Sequence, residues 1–189
     1  FAGSSSWVCM IIKKVTQVGN QLIRAKARKV ADPKSKRVQR VITNLIDSMH
    51  YYELVGVAAP QVGRSLRIFV TEIRATKLRK GQSLKNVDTL RVYINPHIIW
   101  RSKRQVSGYE GCGSVASAAL FGTVKRPESV IVRGQDKQGK GFELKASNLL
   151  ARVIQHEYDH IEGIVFTDRA DSGSFMSRNE YLDKFRKKK

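Results

Sequence analysis

Two histidines and a glutamate lie within five consecutive residues of this chain, at a spacing that suits metal-assisted hydrolysis. His156, Glu157 and His160 form a His-Glu-x-x-His pattern. On an α-helix, residues four positions apart lie on nearly the same face, so both imidazoles can bind one divalent metal ion. Glu157 follows the first histidine, where its carboxylate can accept a proton from an activated water without binding the metal. The pattern therefore indicates a hydrolase.

This motif needs a helix to position it, and the surrounding residues predict one. Ser147 or Asn148 can cap the N-terminus of the helix, and Gly163 can end it. A pattern this short also arises by chance, and two helical histidines are often ordinary surface or core residues. The helical interpretation rests on apolar residues that recur at the spacing of one buried face, namely Leu149, Leu150, Val153, Ile154 and Ile161.

A catalytic site with two histidines needs a third protein ligand. The sequence offers two other histidines, His50 and His97, and two cysteines, Cys9 and Cys112. Cys112 differs because it lies in the segment Glu110-Gly111-Cys112-Gly113-Ser114, where glycines allow the backbone to approach a ligand closely. A small buried thiol in a loop is the alternative interpretation of this cysteine.

Three segments of the chain, taken in order, resemble the three motifs of the peptide deformylase family. Each segment alone is weak evidence, but three in the family's order are specific, and the similarity runs from about residue 13 to residue 170. The resemblance implies an α+β fold in which antiparallel sheets surround a central helix that carries the third motif. The segments are Gly56-Val57-Ala58-Ala59-Pro60-Gln61, Glu110-Gly111-Cys112-Gly113-Ser114 and Gln155-His156-Glu157-Tyr158-Asp159-His160.

The resemblance also implies an activity and a cofactor. The activity is metal-dependent hydrolysis that removes the formyl group from the N-terminal formyl-methionine of nascent polypeptides. The metal ligands would be Cys112, His156 and His160, and Glu157 would take a proton from water and deliver it to the leaving amine. The cofactor would be one divalent ion, Fe²⁺, for which Zn²⁺, Ni²⁺ or Co²⁺ can substitute.

Further roles follow from the same resemblance. The side-chain amide of Gln61 and the backbone N–H of Gly113 would donate hydrogen bonds to the oxyanion that forms from the formyl carbonyl. N-formylmethionyl peptides would be the substrates. The residues that the resemblance assigns to substrate binding are Val55, Gly56, Val57 and Gly111.

The chain departs from the family pattern near two motifs. Leu54 replaces a usual glycine, and Gly113 replaces a common leucine, which predicts a more mobile loop. The segment 115–123 lacks an arginine that often supports the site in bacterial members, so the support of the metal ligands is expected to change. We expect retained but altered activity. The alternatives are a catalytically impaired relative that binds the ribosome or RNA, and a zincin-type endoprotease, which leaves Gln61 and Cys112 unexplained.

Hydrophobic patterning predicts a mixed α+β plan. Asp32-Pro33 predicts the start of a helix, since the apolar positions from Val38 to Met49 recur at helical spacing. Asp136-Lys137-Gln138-Gly139 predicts a hairpin turn, and Ser177 begins a capping box for a short C-terminal helix. The segment 75–88 is expected to be a loop. Strands are predicted at 66–73, 91–95, 98–105, 129–134 and 142–146.

Length and composition favour one catalytic domain at 13–189 with a basic C-terminal helix, preceded by a flexible segment at 1–12. Phe1 is not a translation start, so processing or trimming of the chain is expected. The two cysteines give no disulfide framework. No apolar run approaches the roughly 18–20 residues of a membrane span, so no such span is expected.

The formal net charge is +19, from 35 Lys and Arg against 16 Asp and Glu. Ten Lys and Arg lie between Lys13 and Arg40, against the single acid Asp32, and the chain closes with Lys184-Phe185-Arg186-Lys187-Lys188-Lys189. This density favours a polyanion, for which ribosomal RNA is the candidate partner, although a solvated basic surface is the simpler interpretation. The tail is expected to act away from the three motifs. A basic N-terminal region also suits a mitochondrial protein, with another organelle or the bacterial cytoplasm as alternatives.

Overall fold

The computed structural model describes residues 14–76 and 87–186, and it has the predicted α+β architecture. The predicted flexible segment 1–12, most of the predicted loop 75–88 and the last three lysines lie outside the described residues. Among the described helices, none has the length and apolar character needed to cross a bilayer. The helices are α1 (Gln21–Arg24), α2 (Lys36–Tyr51), α3 (Asn148–Ile161) and α4 (Arg178–Arg186).

The strands form two antiparallel sheets. A five-stranded sheet has the order β1-β2-β3-β6-β7, and a three-stranded sheet has the order β4-β5-β8. The strands are β1 (Gly56–Ala58), β2 (Ile68–Ile73), β3 (Asp88–Arg101), β4 (Gln105–Gly111), β5 (Leu120–Pro127), β6 (Ser129–Gln135), β7 (Gly141–Ser147) and β8 (Met176–Ser177).

Helix α3 lies between the sheets, as the resemblance implied. Its buried residues Ala151, Ile154 and Ile161 pack in one core cluster with Phe69 and Tyr93 of the five-stranded sheet. On its other side the helix contacts β5 of the three-stranded sheet. The helix is therefore fixed on both sides, which suits an element that carries catalytic residues.

The predicted ends of α3 are partly confirmed. Ser147 occupies the N-cap position, but its side chain makes no capping hydrogen bond. Gly163 follows the helix with a φ of 79°. A Cβ at Gly163 would lie 2.4 Å from the carbonyl oxygen of Arg24, so both the positive φ and the close approach require glycine.

Helix α2 begins later than predicted. It starts at Lys36, because Asp32 forms a turn in which its Oδ1 accepts a hydrogen bond from the backbone N–H of Lys34 at 2.9 Å. The predicted apolar face is confirmed. Val38, Val41, Ile42, Leu45 and Met49 are buried in a cluster with residues of β1 and β2.

Strand β3 was predicted as two strands and is one. Its pairing with β6 shifts register between Ile94 and His97, where Asn95 has a φ of 50° and Pro96 lacks an N–H. A bulge therefore accommodates Asn95-Pro96 inside a continuous strand. Gln105, assigned to the second predicted strand, instead begins β4.

The hairpin β4–β5 was not predicted, although it ends in the second motif. Its register runs from Gln105 opposite Pro127 to Gly111 opposite Phe121. Small residues and glycines in both strands weaken the period-two pattern on which strand prediction depends. The predicted hairpin β6–β7 is confirmed, with its turn closed by a hydrogen bond from Gly139 N–H to Asp136 O at 2.9 Å.

Candidate metal centre

Three side chains that were predicted as ligands converge beside α3. The donor atoms of Cys112, His156 and His160 all lie within 4.8 Å of one another, and Cys112 Sγ is 3.2 Å from His160 Nε2. The histidines lie one helical turn apart on α3, and Cys112 directly follows β4. One sulfur and two nitrogen donors form a set that suits a late first-row divalent metal ion.

The other candidate ligands lie elsewhere. His50 is exposed at the end of α2, with its Nε2 2.6 Å from an oxygen of Glu72, and His97 lies in β3 opposite Arg133. Within the two described ranges, no second group of His, Cys, Asp and Glu side chains has this metal-binding geometry. Cys9 lies outside those ranges.

The surroundings of Cys112 favour its thiolate form. Burial raises the pKa of the thiol, but the charge of His160 and hydrogen bonds from His156 and His160 outweigh burial and hold it well below its usual value. Gln61 Nε2 lies 3.5 Å from the sulfur and the backbone N–H of Ser114 lies 3.4 Å from it, so both can donate to it. A thiolate is the form in which cysteine binds metals.

Glu110 orients His156 and connects it to a buried ionic network. Glu110 Oε2 accepts from His156 Nδ1 at 2.9 Å, which leaves Nε2 of that ring as the remaining donor atom for a metal. Arg126 makes two hydrogen bonds to the same carboxylate, at 2.7 and 2.9 Å, and a third to Asp159 at 2.8 Å. Arg152 also donates to Glu110, at 2.7 Å. Burial opposes ionisation of Glu110, but the bonds from His156 and Arg126 keep its pKa below the usual value.

This network corrects the expected loss of support for the ligands. The segment 115–123 carries no arginine, but Arg126 of β5 and Arg152 of α3 supply buried and half-buried guanidinium groups from outside it. Sequence reasoning assigned no role to Glu110, Arg126 or Asp159. The available signal was that Glu110 and Asp159 lie inside the second and third motifs.

Glu157 faces the same cavity as Cys112 and His156 and is buried, with 3% of its surface exposed. Burial raises its pKa to about 7, although the charges of His156 and His160 act in the opposite direction. Its Oε2 has no hydrogen-bond partner among the described residues. The carboxylate needs the space that Gly56 leaves, because a Cβ there would lie 2.7 Å from Oε1.

The predicted oxyanion donors lie on the loops of the first two motifs. Gln61 is buried in a 3₁₀ turn, and its Oε1 accepts from the backbone N–H of Ala58 at 2.8 Å. This bond fixes the side-chain amide so that Nε2 points toward Cys112. Gly113 borders the same cavity.

The loop at Gly113 is anchored by residues 14–18, which we call the N-terminal strap. Gln17 Nε2 donates to Gly113 O at 2.8 Å, and its Oε1 accepts from Ser117 N–H at 3.0 Å. The backbone N–H of Thr16 donates to Gln61 O at 2.8 Å. The strap therefore joins the loops of the first and second motifs, and it restrains a loop that the glycine was expected to leave mobile.

The cavity beside these residues contains most of the predicted substrate-binding positions. Val55, Gly56 and Gly111 line it. Val57 does not, because its side chain is fully buried in the core cluster beneath α2. The lining residues to which sequence reasoning assigned no role in the site include Glu53, Thr76, Tyr109, Phe121, Leu149, Arg152, Val153 and Tyr181.

Helix α4, from which the basic tail extends, forms part of this cavity through Tyr181. That the tail beyond Asp183 acts away from the three motifs stays a prediction. Tyr181 stacks on Phe121, with ring centroids 4.2 Å apart and planes at 11°. Lys184 Nζ donates to Tyr109 OH at 2.6 Å. Ser177 caps the helix, as predicted, by accepting from Glu180 N–H at 3.2 Å.

The fold and this cluster define a class of protein: an α+β hydrolase whose cysteine and two histidines can hold one metal ion beside a buried carboxylate. A match to the polypeptide deformylase family model covers residues 12–175. The chain belongs to the peptide deformylase family. It is a metal-dependent enzyme that removes the N-formyl group from nascent polypeptides, and this assignment excludes the zincin-type endoprotease.

Similar proteins include bacterial and chloroplastic enzymes. The peptide deformylase of Dictyoglomus turgidum is 36% identical over 170 residues, which are 90% of this chain and 100% of that protein. The chloroplastic peptide deformylase 1B of Solanum lycopersicum is 32% identical over 93% of this chain and 56% of its own length. A class I type b peptide deformylase from Acinetobacter baumannii, solved with bound Met-Ala-Ser, has a TM-score of 0.78 and 30% identity, covering 85% of this chain and 99% of that chain.

Proposed function

We propose that Cys112, His156 and His160 hold one divalent metal ion and that Glu157 is the proton carrier of deformylation. The observation that carries this proposal is that the three donor atoms lie within 4.8 Å of one another, while Cys112 and His156 line one cavity with Glu157, whose Oε2 has no hydrogen-bond partner among the described residues. When bound, a divalent ion supplies Lewis-acid chemistry that makes water nucleophilic near neutral pH.

The remaining steps belong to side chains of this protein. Oε2 of Glu157 accepts the proton of the attacking water and later delivers it to the nitrogen of the N-terminal methionine as the bond between the formyl carbon and this nitrogen breaks, which releases formate. The amide of Gln61 and the backbone N–H of Gly113 donate to the developing oxyanion, and each such donor typically contributes about 2.7–4 kcal/mol to the transition state. Hydrogen bonds from Ala58 and the strap hold these donors in place before the substrate arrives.

The substrate is proposed to bind along β1. In the part of the chain that the structure describes, this strand is the edge strand of the five-stranded sheet and pairs with β2 alone, so an extended peptide could pair with its other edge. Val55, Gly56 and Gly111 would contact the peptide from the cavity walls, and Val57 would act through its backbone alone. The bound Met-Ala-Ser of the Acinetobacter relative supports a formyl-Met-Ala-Ser peptide as a test substrate.

Fe²⁺ is the proposed ion, with Zn²⁺, Ni²⁺ or Co²⁺ as substitutes, because a thiolate and two imidazoles bind all of these late first-row ions. With iron, the thiolate would make the site sensitive to oxygen. We also propose a mitochondrial location, supported by the basic N-terminal region, with a chloroplast or the bacterial cytoplasm as the alternatives that the relatives represent.

The proposed partner beyond the substrate is ribosomal RNA. The net charge of +19 supports a polyanion, and the enzyme acts on chains that emerge from ribosomes. The catalytically impaired alternative loses support from the intact Glu110–Arg126–Asp159 network and from the strap, because both keep the site ordered despite Gly113.

The roles of ligand and proton carrier can be separated in one experiment. Parent, Glu157→Gln and His160→Ala proteins are loaded with Co²⁺ or Fe²⁺ without oxygen and assayed with formyl-Met-Ala-Ser, and their metal content is measured. Glu157→Gln should keep its metal and lose about 10²–10⁴-fold in turnover. His160→Ala should lose its metal.

His97→Ala is the matched control, since His97 lies in β3 outside the donor cluster, and it should keep both metal and activity. Turnover at the parent rate by Glu157→Gln would show that Glu157 is not the proton carrier. Full metal content in His160→Ala would show that His160 is not a metal ligand.

A further inference from the structure

The first half of α2 contributes to a basic concave surface that the deformylase site does not use. Lys36, Arg37 and Arg40 of the helix line one pocket together with Asn44 and with Arg64, which follows the first motif. All four cations are exposed, and within residues 14–76 and 87–186 none of them is ion-paired with a carboxylate. We call this surface the α2 basic pocket.

The floor of the α2 basic pocket contains a polar group without a partner. Asn44 is 5% exposed, and its Oδ1 makes no hydrogen bond to any described residue. A buried amide oxygen that lacks a hydrogen-bond donor is unfavourable. Because the two ends of an asparagine amide exchange by rotation, the same side chain can instead present Nδ2 to a bound anion.

The start of α2 also lacks the groups that usually balance its dipole. Its first turn contains no acidic residue, and the side chain of Ser35 at the N-cap makes no capping hydrogen bond. Lys36 and Arg37 therefore add positive charge to the positive end of the helix dipole. An anion in the pocket would relieve this repulsion.

Further cations extend the surface beyond the pocket. The backbone N–H of Arg28 donates to the carbonyl oxygen of Ser65 at 3.3 Å, so Arg28 lies opposite the residue that follows Arg64. On the other side, Lys34 and Lys137 line a neighbouring depression, where Gln39 Nε2 donates to the backbone oxygen of Lys137 at 2.8 Å. The basic surface thus spans three segments of the chain and is larger than one small anion requires.

We infer that the α2 basic pocket binds a phosphate of an RNA backbone and that the neighbouring cations bind adjacent phosphates. The inference rests on the proposed ribosomal partner and assigns the contact to α2, in addition to the C-terminal tail. The cleft is lined by residues that directly follow α2. The helix rise places Arg40 about 16 Å from the end of α2 at Tyr51, so RNA can be bound there while the cleft stays open.

The test compares two variants of equal charge. In the pocket variant, Arg37→Glu, Arg40→Glu and Arg64→Glu are combined. In the control variant, three exposed cations without ion pairs in the described structure are reversed instead, namely Lys103→Glu, Lys125→Glu and Lys145→Glu. The probe is a fluorescein-labelled 20-nucleotide RNA hairpin, with binding measured by anisotropy across a KCl series.

The pocket variant should bind the hairpin at least tenfold more weakly than the control variant. Its slope of log K against log salt should be smaller than that of the parent by about two to three units, since each lost phosphate contact removes close to one unit. Equal losses of RNA affinity in the two variants would overturn the proposal that the α2 basic pocket is an RNA-binding site. Binding would then reflect only nonspecific attraction by net charge.

Asn44→Asp tests the pocket without a large change in shape, and it should also weaken RNA binding more than the control variant does. Thermal melting confirms that each variant is folded. Removal of residues 186–189 measures the contribution of the tail separately. The same preparations are also assayed for turnover of formyl-Met-Ala-Ser, which tests the proposed catalytic roles separately from RNA binding. A parent protein that is inactive but still binds RNA through the pocket would contradict the catalytic roles and would leave this inference standing.

Discussion

At the scale of single residues, Glu110 links a proposed metal ligand to the buried ionic network. It orients His156 and accepts hydrogen bonds from Arg126 and Arg152 while it is itself buried. A buried carboxylate is tolerated only when it is paired in this way, and removal of its charge leaves the partner guanidinium groups poorly compensated.

We therefore expect Glu110→Gln to affect both stability and metal binding. The free energy of unfolding should fall by about 3 kcal/mol, because one member of a buried ionic network loses its charge. Metal affinity should fall about 10–100-fold, because His156 loses its orienting partner. Urea unfolding and competition with a chelator measure the two effects.

Glu143→Gln is the control for this change, since Glu143 pairs with Arg133 on the surface and such pairs contribute about 1 kcal/mol or less. Parent-like metal affinity in Glu110→Gln would show that Glu110 does not position His156.

Gly56 has no side chain, and this leaves the space that the carboxylate of Glu157, the proposed proton carrier, occupies. In Gly56→Ala, the new Cβ would lie 2.7 Å from Glu157 Oε1 and 2.8 Å from Val153 Cγ1, so the carboxylate must move. A displacement of about 1 Å can cost on the order of 10²-fold in rate, and we expect that loss in kcat/KM with unchanged metal content. Gly141→Ala is the matched control, because a Cβ there meets no atom within 4 Å.

The residues proposed to take part in the reaction were easier to predict from the sequence than the residues that position their side chains. His156 and His160 were proposed as ligands from their local spacing, whereas Cys112 was one of four candidates for the third ligand until the family resemblance selected it. Arg126 and Arg152 were not assigned, since an arginine gives no signal of its partner until the fold brings β5 and α3 together. Val57 was assigned to substrate binding by its place in the first motif, whereas its alternation within β1 puts the side chain in the core.

At the scale of elements, α4 is both a wall of the cavity and the base of the basic tail. Tyr181 contributes an aromatic surface that is remote from the donor cluster in sequence but lines the same cavity. We expect Tyr181→Ala to raise KM for formyl-Met-Ala-Ser about tenfold and to change kcat little. The variant would lose a contact that stabilises the bound substrate and the transition state equally, and the reacting groups would be unchanged.

Steady-state kinetics with this peptide measure the effect of Tyr181→Ala. Truncation after Phe185 is the control, since it removes the terminal charges and keeps Lys184 bound to Tyr109. An unchanged KM in Tyr181→Ala would show that α4 does not touch the peptide.

Elements with a local sequence signal, such as apolar residues at one regular spacing or a turn sequence, were predicted well. Elements that depend on contacts between segments far apart in the sequence were not. The faces of α2 and α3 followed from apolar spacing, and the hairpin β6–β7 from its turn residues. The strap has no regular structure, and only its hydrogen bonds to two distant loops give it a role. For the same reason β1 was not among the predicted strands, because three small residues become a strand only when β2 pairs with them.

At the scale of the whole molecule, an ion pair between Arg24 and Asp168 joins the first and last parts of the described chain. Burial would raise the pKa of Asp168, but hydrogen bonds from Arg24 and from the backbone of Val165 hold it below its usual value. Its stabilising contribution is therefore present above the unfolded pKa, near 4, and is lost as the pH falls through the folded pKa.

Asp168→Asn should lower the melting temperature by about 2 °C at pH 7, the effect expected of a partly exposed pair in a domain of this size. The difference from the parent should shrink as the pH falls below about 4 and disappear in stronger acid. Scanning calorimetry from pH 3 to pH 7 measures it. A difference that stays constant over this range would mean that the charge of Asp168 contributes nothing.

The strap and the donor cluster have a consequence for the order in which the protein forms. Gln61 and Cys112 are separated by 51 residues, Cys112 and His160 by 48, and Gln17 and Gly113 by 96. Closing loops of this length costs conformational entropy, and we expect burial of the hydrophobic core to offset that cost. We therefore expect the metal to bind a chain that is already folded, unlike in a zinc finger, whose folding depends on its ion.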